Sequence, residues 1–558
     1  MRNRRLIVSA AVIAAGVGLT PGMAQAADPA NPVAPVAQGV AAPAVDLAKA
    51  GASNFKTFTS PADRTVRKAL PTAKDKAAAS PQAQAQVAAG NPDLAVVLNA
   101  KATSAHGFEL DTTINSADAS LNVTIDWGDG TFDLADPYGA AVLKHTHIYP
   151  ELGDYTVRVT VADVPNQTHV SNELTITTAG SDFTPYGPTR LLDTRNGTGA
   201  TKGKVPGYGT TRLKAGGNGK IPAGVTAVAL NVTAPNATSG GHVTVYGSGG
   251  ERPTTSNVNF EPGQTVPNLV IVPVGQDGCV NLYNGGWEPV DLIADVTGYF
   301  GRTASSGYTP RTPERIVDTR EGNGPQRGQV AGQGSFTVRV TAGGPRTAVA
   351  LNITVTNPRE AGHLTAYPGD QAAPTTSNVN FTAGQTVANS VIVPVAADGS
   401  VTIRNGAWAP TDVIVELVGM YSKDSTGSYM PVQPTRSFDT RDPRWPHGPS
   451  PARGYTYSAF SPGESGIAGY VLNTTVTNTR GPGFLSVAPD PNTWEQYKNK
   501  TAVFPDRPVS STLNWTAGKT VPNLVQASSG YNGIVDFWNQ GWEGVDLIVD
   551  IFGYYETQ

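Results

Sequence analysis

Three Asp-Thr-Arg triplets carry the side chains most capable of chemistry: Asp193-Thr-Arg195, Asp318-Thr-Arg320 and Asp439-Thr-Arg441. In other settings such a carboxylate is a general acid, a base or a metal ligand. Here a second arginine precedes each Asp by three residues: Arg190, Arg315 and Arg436. Two close cations hold a carboxyl ionised, which suits neither a proton donor nor a base of raised pKa. The triplets are therefore expected to be structural salt bridges (Asp193 with Arg195, Asp318 with Arg320, Asp439 with Arg441) that close one end of a β unit. Exposed arginines there would be able to grip a carboxylate or phosphate.

A second set of carboxylates follows the same spacing: Asp291 with Asp295, Asp412 with Glu416, Asp546 with Asp550. The first and fifth residues of a strand share a face but lie about 13 Å apart. Glycoside hydrolysis uses carboxylates roughly 5–9.5 Å apart. Calcium completed by loop carbonyls is the metal these groups allow, and solvent-facing or turn-satisfying carboxylates are the plainer reading. A third set pairs an Asn with a Trp: Asn284 with Trp287, Asn405 with Trp408, Asn539 with Trp542. An indole face stacks on the C–H face of a sugar ring while amides bond its hydroxyls. In the competing reading each Asn satisfies backbone in a turn and each Trp plugs a core end. A last group, Asp126, Asp129 and Asp133 with His145 and His147, surrounds one tight turn and offers a further metal site. The sequence assigns no metal to any of these groups.

Other chemistry finds little support. The chain has no HExxH, no GxSxG, no phosphate-cradling loop and no CxxC. Of its 7 histidines, none recurs in all three triplet-bearing segments: His242 and His363 align, but Phe484 stands third. The single cysteine, Cys279, reads as a small strand residue and excludes an intramolecular disulfide. A formal net charge of -4, from 40 basic and 44 acidic residues, gives no field for nucleic acid.

The elements that must position these residues are short strands. Charged residues make up 15% of the chain, against 62 Gly and 44 Pro, a balance of turn formers over helix formers. Residues 1–26 read as a signal peptide: Arg2, Arg4 and Arg5, an apolar run from Leu6 to Leu19, then Ala24-Gln25-Ala26. No other run is long and apolar enough for a membrane span. An Ala/Pro-rich stretch, 27–90, reads as a disordered linker with a short helix near Pro61 to Leu70. Folded units are expected at 91–179, 181–302, 307–422 and 427–558. The last three are copies of one repeat. Each opens on Asp-Thr-Arg, continues with strands such as Val228-Ala-Leu-Asn-Val232, and passes through Gly263-Gln-Thr-Val-Pro-Asn268 and its equivalents. Each closes on the Trp turn and a last strand. Runs such as Leu269-Val-Ile-Val, apolar on both faces, predict strands buried between two layers.

Residues 91–179 resemble a PKD domain, through Trp127-Gly-Asp-Gly-Thr131, His145-Thr-His-Ile-Tyr149 and Gly153-Asp-Tyr-Thr-Val157. The resemblance implies an immunoglobulin-like sandwich acting as a spacer or interaction module. The repeats resemble a module of exported actinobacterial proteins, through Arg190-Leu-Leu-Asp-Thr-Arg195, Ser256-Asn-Val-Asn-Phe260 and Gly263-Gln-Thr-Val-Pro-Asn268. That likeness implies export and modularity and no particular activity. The expected architecture is all-β: one immunoglobulin-like sandwich, then three β-sandwich or jelly-roll-like repeats as beads on a string. Each repeat is too long to be one blade of a closed ring. Three functions follow. One is a secreted, non-catalytic binding or adhesion protein, multivalent for cell-wall or extracellular polysaccharide. The others are a structural or protein-interaction component of an extracellular assembly, and a diverged hydrolase. The third repeat stands apart through Pro443-Arg-Trp-Pro-His447 and an insertion around Trp494-Glu-Gln-Tyr-Lys-Asn.

Overall fold

The computed structural model describes residues 39–43, 47–70, 90–303, 306–340, 346–460, 466–530 and 533–557. The expected signal peptide lies outside the described residues. Among those described, no helix is long and apolar enough to cross a membrane. The chain is all-β, and its sheets are antiparallel sandwiches that succeed one another along the sequence.

The first sandwich begins earlier than its sequence pattern suggests. One sheet holds Thr57–Ser60, Ala95–Ala102, Gly107–Asn115 and Ala141–Ile148; the other holds Val66–Ala69, Thr168–Thr177, Asp154–Asp163, Asn122–Asp126 and Phe132–Ala135. Alternation turns Val123 and Ile125 into the core. Two strands thus come from the stretch expected to be linker, and Pro61 to Leu70 forms a short 3₁₀ turn and a strand instead of a helix. Backbone pairing and one buried amide hold them. The Nδ2 of Asn172 donates to Val96 O (2.7 Å), while its Oδ1 accepts from Ser60 Oγ (2.7 Å). A third early strand, Val40–Ala42, adds in parallel to Tyr455–Ala459 of the last repeat.

Each repeat has eight strands in two sheets. In the first repeat the inner sheet runs Asp182–Asp193, Ile293–Gly301, Ala227–Ala234, Val266–Pro273, and the outer sheet Thr210–Lys214, Cys279–Asn284, Gly241–Gly247, Val258–Phe260. The first, eighth, third and sixth strands thus face the second, seventh, fourth and fifth, which is jelly-roll topology. The other repeats copy this order, and each has apolar side chains packed between its own two sheets.

The string also closes in space. Ala227–Ala234 is buried at every residue. One face meets its own outer sheet; the other meets the neighbouring repeats. Leu269 and Ile271 of the first repeat, Ile392 and Tyr421 of the second, and Leu524 and Phe552 of the third form one apolar cluster. An asparagine relay surrounds it. Asn268 Nδ2 donates to Asn473 Oδ1 (3.0 Å), Asn389 to Asn231 (3.1 Å) and Asn523 to Asn352 (3.2 Å). The acceptors donate onward: Asn231 to Ser377 O (2.7 Å), Asn352 to Ser511 O (2.5 Å) and Asn473 to Ser256 O (2.7 Å). First contacts third, third contacts second and second contacts first, so the repeats stand around a pseudo-threefold axis. The ring that repeat length argued against is built from whole domains.

Asn523→Ala would strip partners from Asn352 Oδ1, Ser390 N and Thr512 O. Each buried group left unpaired costs about 1–3 kcal/mol. A marked fall in the urea midpoint is expected, with the three repeats unfolding in one transition. An unchanged midpoint would mean that the ring is not closed in solution.

Candidate functional site

The Asp-Thr-Arg triplets end the first strand of each inner sheet, and their charges are consumed internally. Arg195 reaches Asp193 at 2.7 Å, Arg320 reaches Asp318 at 2.7 Å and Arg441 reaches Asp439 at 2.7 Å. Arg190 forks between Asp193 (3.2 Å) and Asp295 (2.9 Å). The Arg195 hydrogen bond holds the Asp193 carboxyl below its usual range. These carboxylates are anchors, unsuited to proton transfer.

Five of these six carboxylates are buried and Asp291 is half-buried, which corrects the solvent-facing reading. Asp291, Asp412 and Asp546 each accept from a triplet threonine, at 2.8, 2.9 and 2.7 Å. Asp295, Glu416 and Asp550 lie deeper. Burial pushes all three up, and Asp550 reaches about 6 although Arg436 opposes the shift. Glu416 accepts the Ser511 amide of the next repeat. Each has an arginine partner. Near the first sandwich's turn, Asp129 takes His147 (2.8 Å) and Asp133 takes His145 (3.3 Å) as separate pairs. Among the described residues, no group of three His, Cys, Asp or Glu could hold a metal ion. Cys279 is buried on a strand.

The Asn–Trp turns divide into one structural and one free member. Asn284 is fully buried, and its Nδ2 donates to the carbonyls of Val205, Pro206 and Glu288 (2.9–3.1 Å). Its Oδ1 accepts from Gly286 N (2.9 Å). Asn405 bonds its turn in the same way, and Asn539 donates to Ser450 O and Glu543 O. The expectation that these amides bond a ligand is therefore corrected: turn backbone occupies them. The tryptophans are the opposite. Trp287, Trp408 and Trp542 are 79%, 83% and 73% exposed. They plug no core.

Beside each Trp sits a residue at positive φ that sequence reading did not single out: Tyr208, Gln333 and Arg453. Tyr208 stands edge-on to Trp287 (5.2 Å between centroids), and the Arg453 guanidinium lies 4.8 Å from the Trp542 ring centre. Gln333 donates to Ala407 O beside Trp408. Aligned, Tyr208-Gly209, Gln333-Gly334 and Arg453-Gly454 vary where the turn does not. That contrast was the available signal.

The third repeat differs further. Its loop between fourth and fifth strands is residues 490–512, twenty-three long, against ten in 248–257 and 369–378. This strap carries the helix Trp494–Lys498 and covers an aromatic face: Tyr457 stacks on Tyr497 (4.0 Å) and Tyr455 on Trp538 (4.6 Å). Beneath it two carboxyls meet, Asp490 and Asp536. Asp490 accepts from Tyr497 Oη and Asn492 N; both oxygens of Asp536 lack a hydrogen-bond donor. Burial first, then the Asp490 charge, drives the Asp536 carboxyl well above its ordinary value. A groove of about 630 Å³, lined by residues that include Phe438, Asp442, Trp445 and His447, opens beside the Pro443–His447 segment.

No family model and no curated protein matches the chain. Three of the solved structures similar to it follow. A SusE-like protein is 11% identical, with 39% of this chain and 99% of that one covered and a TM-score of 0.12. A protein of Sulfolobus Turreted Icosahedral Virus is 10% identical (63% and 85% covered, TM-score 0.15). A triple-jelly-roll protein of an archaeal virus turret is 9% identical (68% and 90% covered, TM-score 0.14). At such TM-scores no relationship follows.

The turn's division of labour is testable. Asn284→Ala removes the partner of Glu288 O and Gly286 N and one of two partners of Val205 O and Pro206 O, and should cost at least ~2 kcal/mol in equilibrium unfolding; Trp287→Ala should stay within about 0.5 kcal/mol. Equal losses would mean that the indole is structural. The carboxyl pair gives a pH dependence. Asp536 is raised in the folded state, so its contribution is complete in acid, below its unfolded value. It is lost as pH rises through the elevated one. The strap's amides should exchange faster with deuterium as pH rises, beyond the intrinsic rate, and Asp536→Asn should abolish that excess. A pH-independent strap would contradict the raised Asp536 carboxyl.

Proposed function

We propose that this chain is a non-catalytic binding protein that holds a polysaccharide through three tryptophan subsites on one end of the ring. The observation that carries the reading is the exposure of Trp287, Trp408 and Trp542 on turns stiffened by buried asparagines. Leaving a large aromatic in water forgoes about 1.5–3 kcal/mol of burial. The chain does so three times at equivalent positions, on rigid supports that suit stacking against sugar rings. A rotation about one axis keeps equivalent turns at one end, so the subsites can engage one polymer together. Linked weak sites gain roughly 10²–10⁴ in avidity.

The leader pattern of residues 1–26 supports action outside the cell, and in this reading the chain associates with the wall non-covalently. The first sandwich serves as spacer in this reading, as its resemblance to PKD domains implies. One observation favours a protein partner for that domain: Leu134, Tyr138 and Val142 stand 63–75% exposed on it. The structural or interaction role is thus a second reading for the front of the molecule.

Retention of the chain on peptidoglycan, chitin and cellulose tests the proposal. Single Trp→Ala variants should weaken binding about tenfold, and the triple variant should lose it while keeping the parent's unfolding midpoint. Full retention by the triple variant, or no retention by the parent on any glycan, would overturn the reading.

A further inference from the structure

The three subsites share a Trp but differ in charge. Trp287 has the neutral Tyr208 as its ring partner. Around Trp408 the charges balance: Glu360 accepts the Trp408 and Ala409 amides, and Arg404 donates to Gln333 (2.7 Å). Around Trp542 they do not. Arg453 lies over its ring, and the strap brings Arg507 alongside, donating to Arg453 O at 2.7 Å. Arg507 in turn covers Trp538, at 5.7 Å from the ring centre. The Arg453 guanidinium itself donates to Gln540 O (3.0 Å).

Among the described residues, neither arginine has a carboxylate partner. The triplet arginines, Arg195, Arg320 and Arg441, all do. Asp506 and Glu543 are neighbours in sequence, yet both point to solvent and form no ion pair. Two half-buried guanidiniums therefore stand close together, Arg453 over Trp542 and Arg507 over Trp538, with no carboxylate in ion-pair reach among the described residues. Burial lowers the proton affinity of both, and for Arg507 the Arg453 charge adds to the effect. An anion would relieve this repulsion. A guanidinium pair with open donors fits the oxygens of a carboxylate or phosphate.

We infer that the third subsite binds an anionic group, a carboxylate or phosphate carried on the polymer, through Arg453 and Arg507 beside Trp542. The inference rests on the polysaccharide reading and names the chemistry of its third site. The strap exists only in this repeat and supplies one of the two arginines. The third copy is thus specialised for charge, while the first two stack on neutral sugar.

The test compares three probes by retention and titration: polygalacturonate for carboxylate, poly(glycerol phosphate) for phosphodiester, and cellulose as the neutral control. The unmodified chain should hold one anionic probe more tightly than cellulose, and salt should weaken that binding. Arg453→Gln with Arg507→Gln should reduce it about 10–100-fold and weaken cellulose binding far less. Arg453→Lys with Arg507→Lys should restore part of it, which separates charge from folding. Cellulose held as tightly as both anionic probes, or anionic binding untouched by the Gln pair, would overturn the inference and leave the polysaccharide reading standing. A chain that holds no probe overturns both. Anionic binding that survives loss of all three tryptophans overturns the stacking platform alone.

Discussion

Each inner sheet of the repeats is apolar on both faces. One outer sheet can cover only one of them. The uncovered face would leave residues such as Leu269, Ile271, Ile392 and Leu524 in water, at roughly 25 cal/mol for every Å² exposed. Three such faces turned toward one axis bury one another, and the ring follows from that need. Polar groups caught in the contact must then be satisfied, because an unpaired amide there costs about as much as a large side chain's burial returns. The asparagine relay and the arginine-bound carboxylates Asp295, Glu416 and Asp550 meet this demand. The Trp turns are a by-product in position: they sit where seventh strands cross to eighth, and the ring gathers them at one end.

Much of this was legible along the chain. Alternating strands, the repeat and its period, the anchoring of the Asp-Thr-Arg triplets and the turn bearing each Trp all follow from local pattern. The closed ring does not. A strand such as Leu269-Val-Ile-Val announces two covering layers but not which layers, and a neighbouring repeat satisfies the pattern as well as any other element. Asparagines are equally silent. Asn268 and Asn284 have the same chemistry; one spans two repeats and the other pins a turn, and only tertiary position separates them. The early strands were missed for a third reason. Thr57–Ser60 and Val66–Ala69 hold few apolar residues, and their stability comes from backbone pairing with strands that follow much later.

The repeats also show which positions the fold constrains. Relay asparagines, triplets and turn asparagines recur in all three copies, because each has partners on two elements or two repeats. Tyr208, Gln333 and Arg453 share a backbone conformation and little else. None of their side chains enters a core, so the fold asks only that the turn be made. Three subsites within one chain can therefore diverge singly, a freedom that a ring of identical subunits lacks.

The parallel strand Val40–Ala42 has a consequence for how the molecule comes together. Its acceptor, Tyr455–Ala459, lies more than four hundred residues downstream, and the relay's closing bond joins Asn268 to Asn473. A chain made from its N-terminus has these first segments in hand long before their partners exist. The early sandwich and the first two jelly rolls can form in order, each on local contacts. The seam between beginning and end forms only once the last repeat is complete. Until then the axis-facing leucines and isoleucines of the first two repeats stand open. The slowest and most aggregation-exposed step of assembly is thus set by topology, at the moment when the final hundred residues arrive.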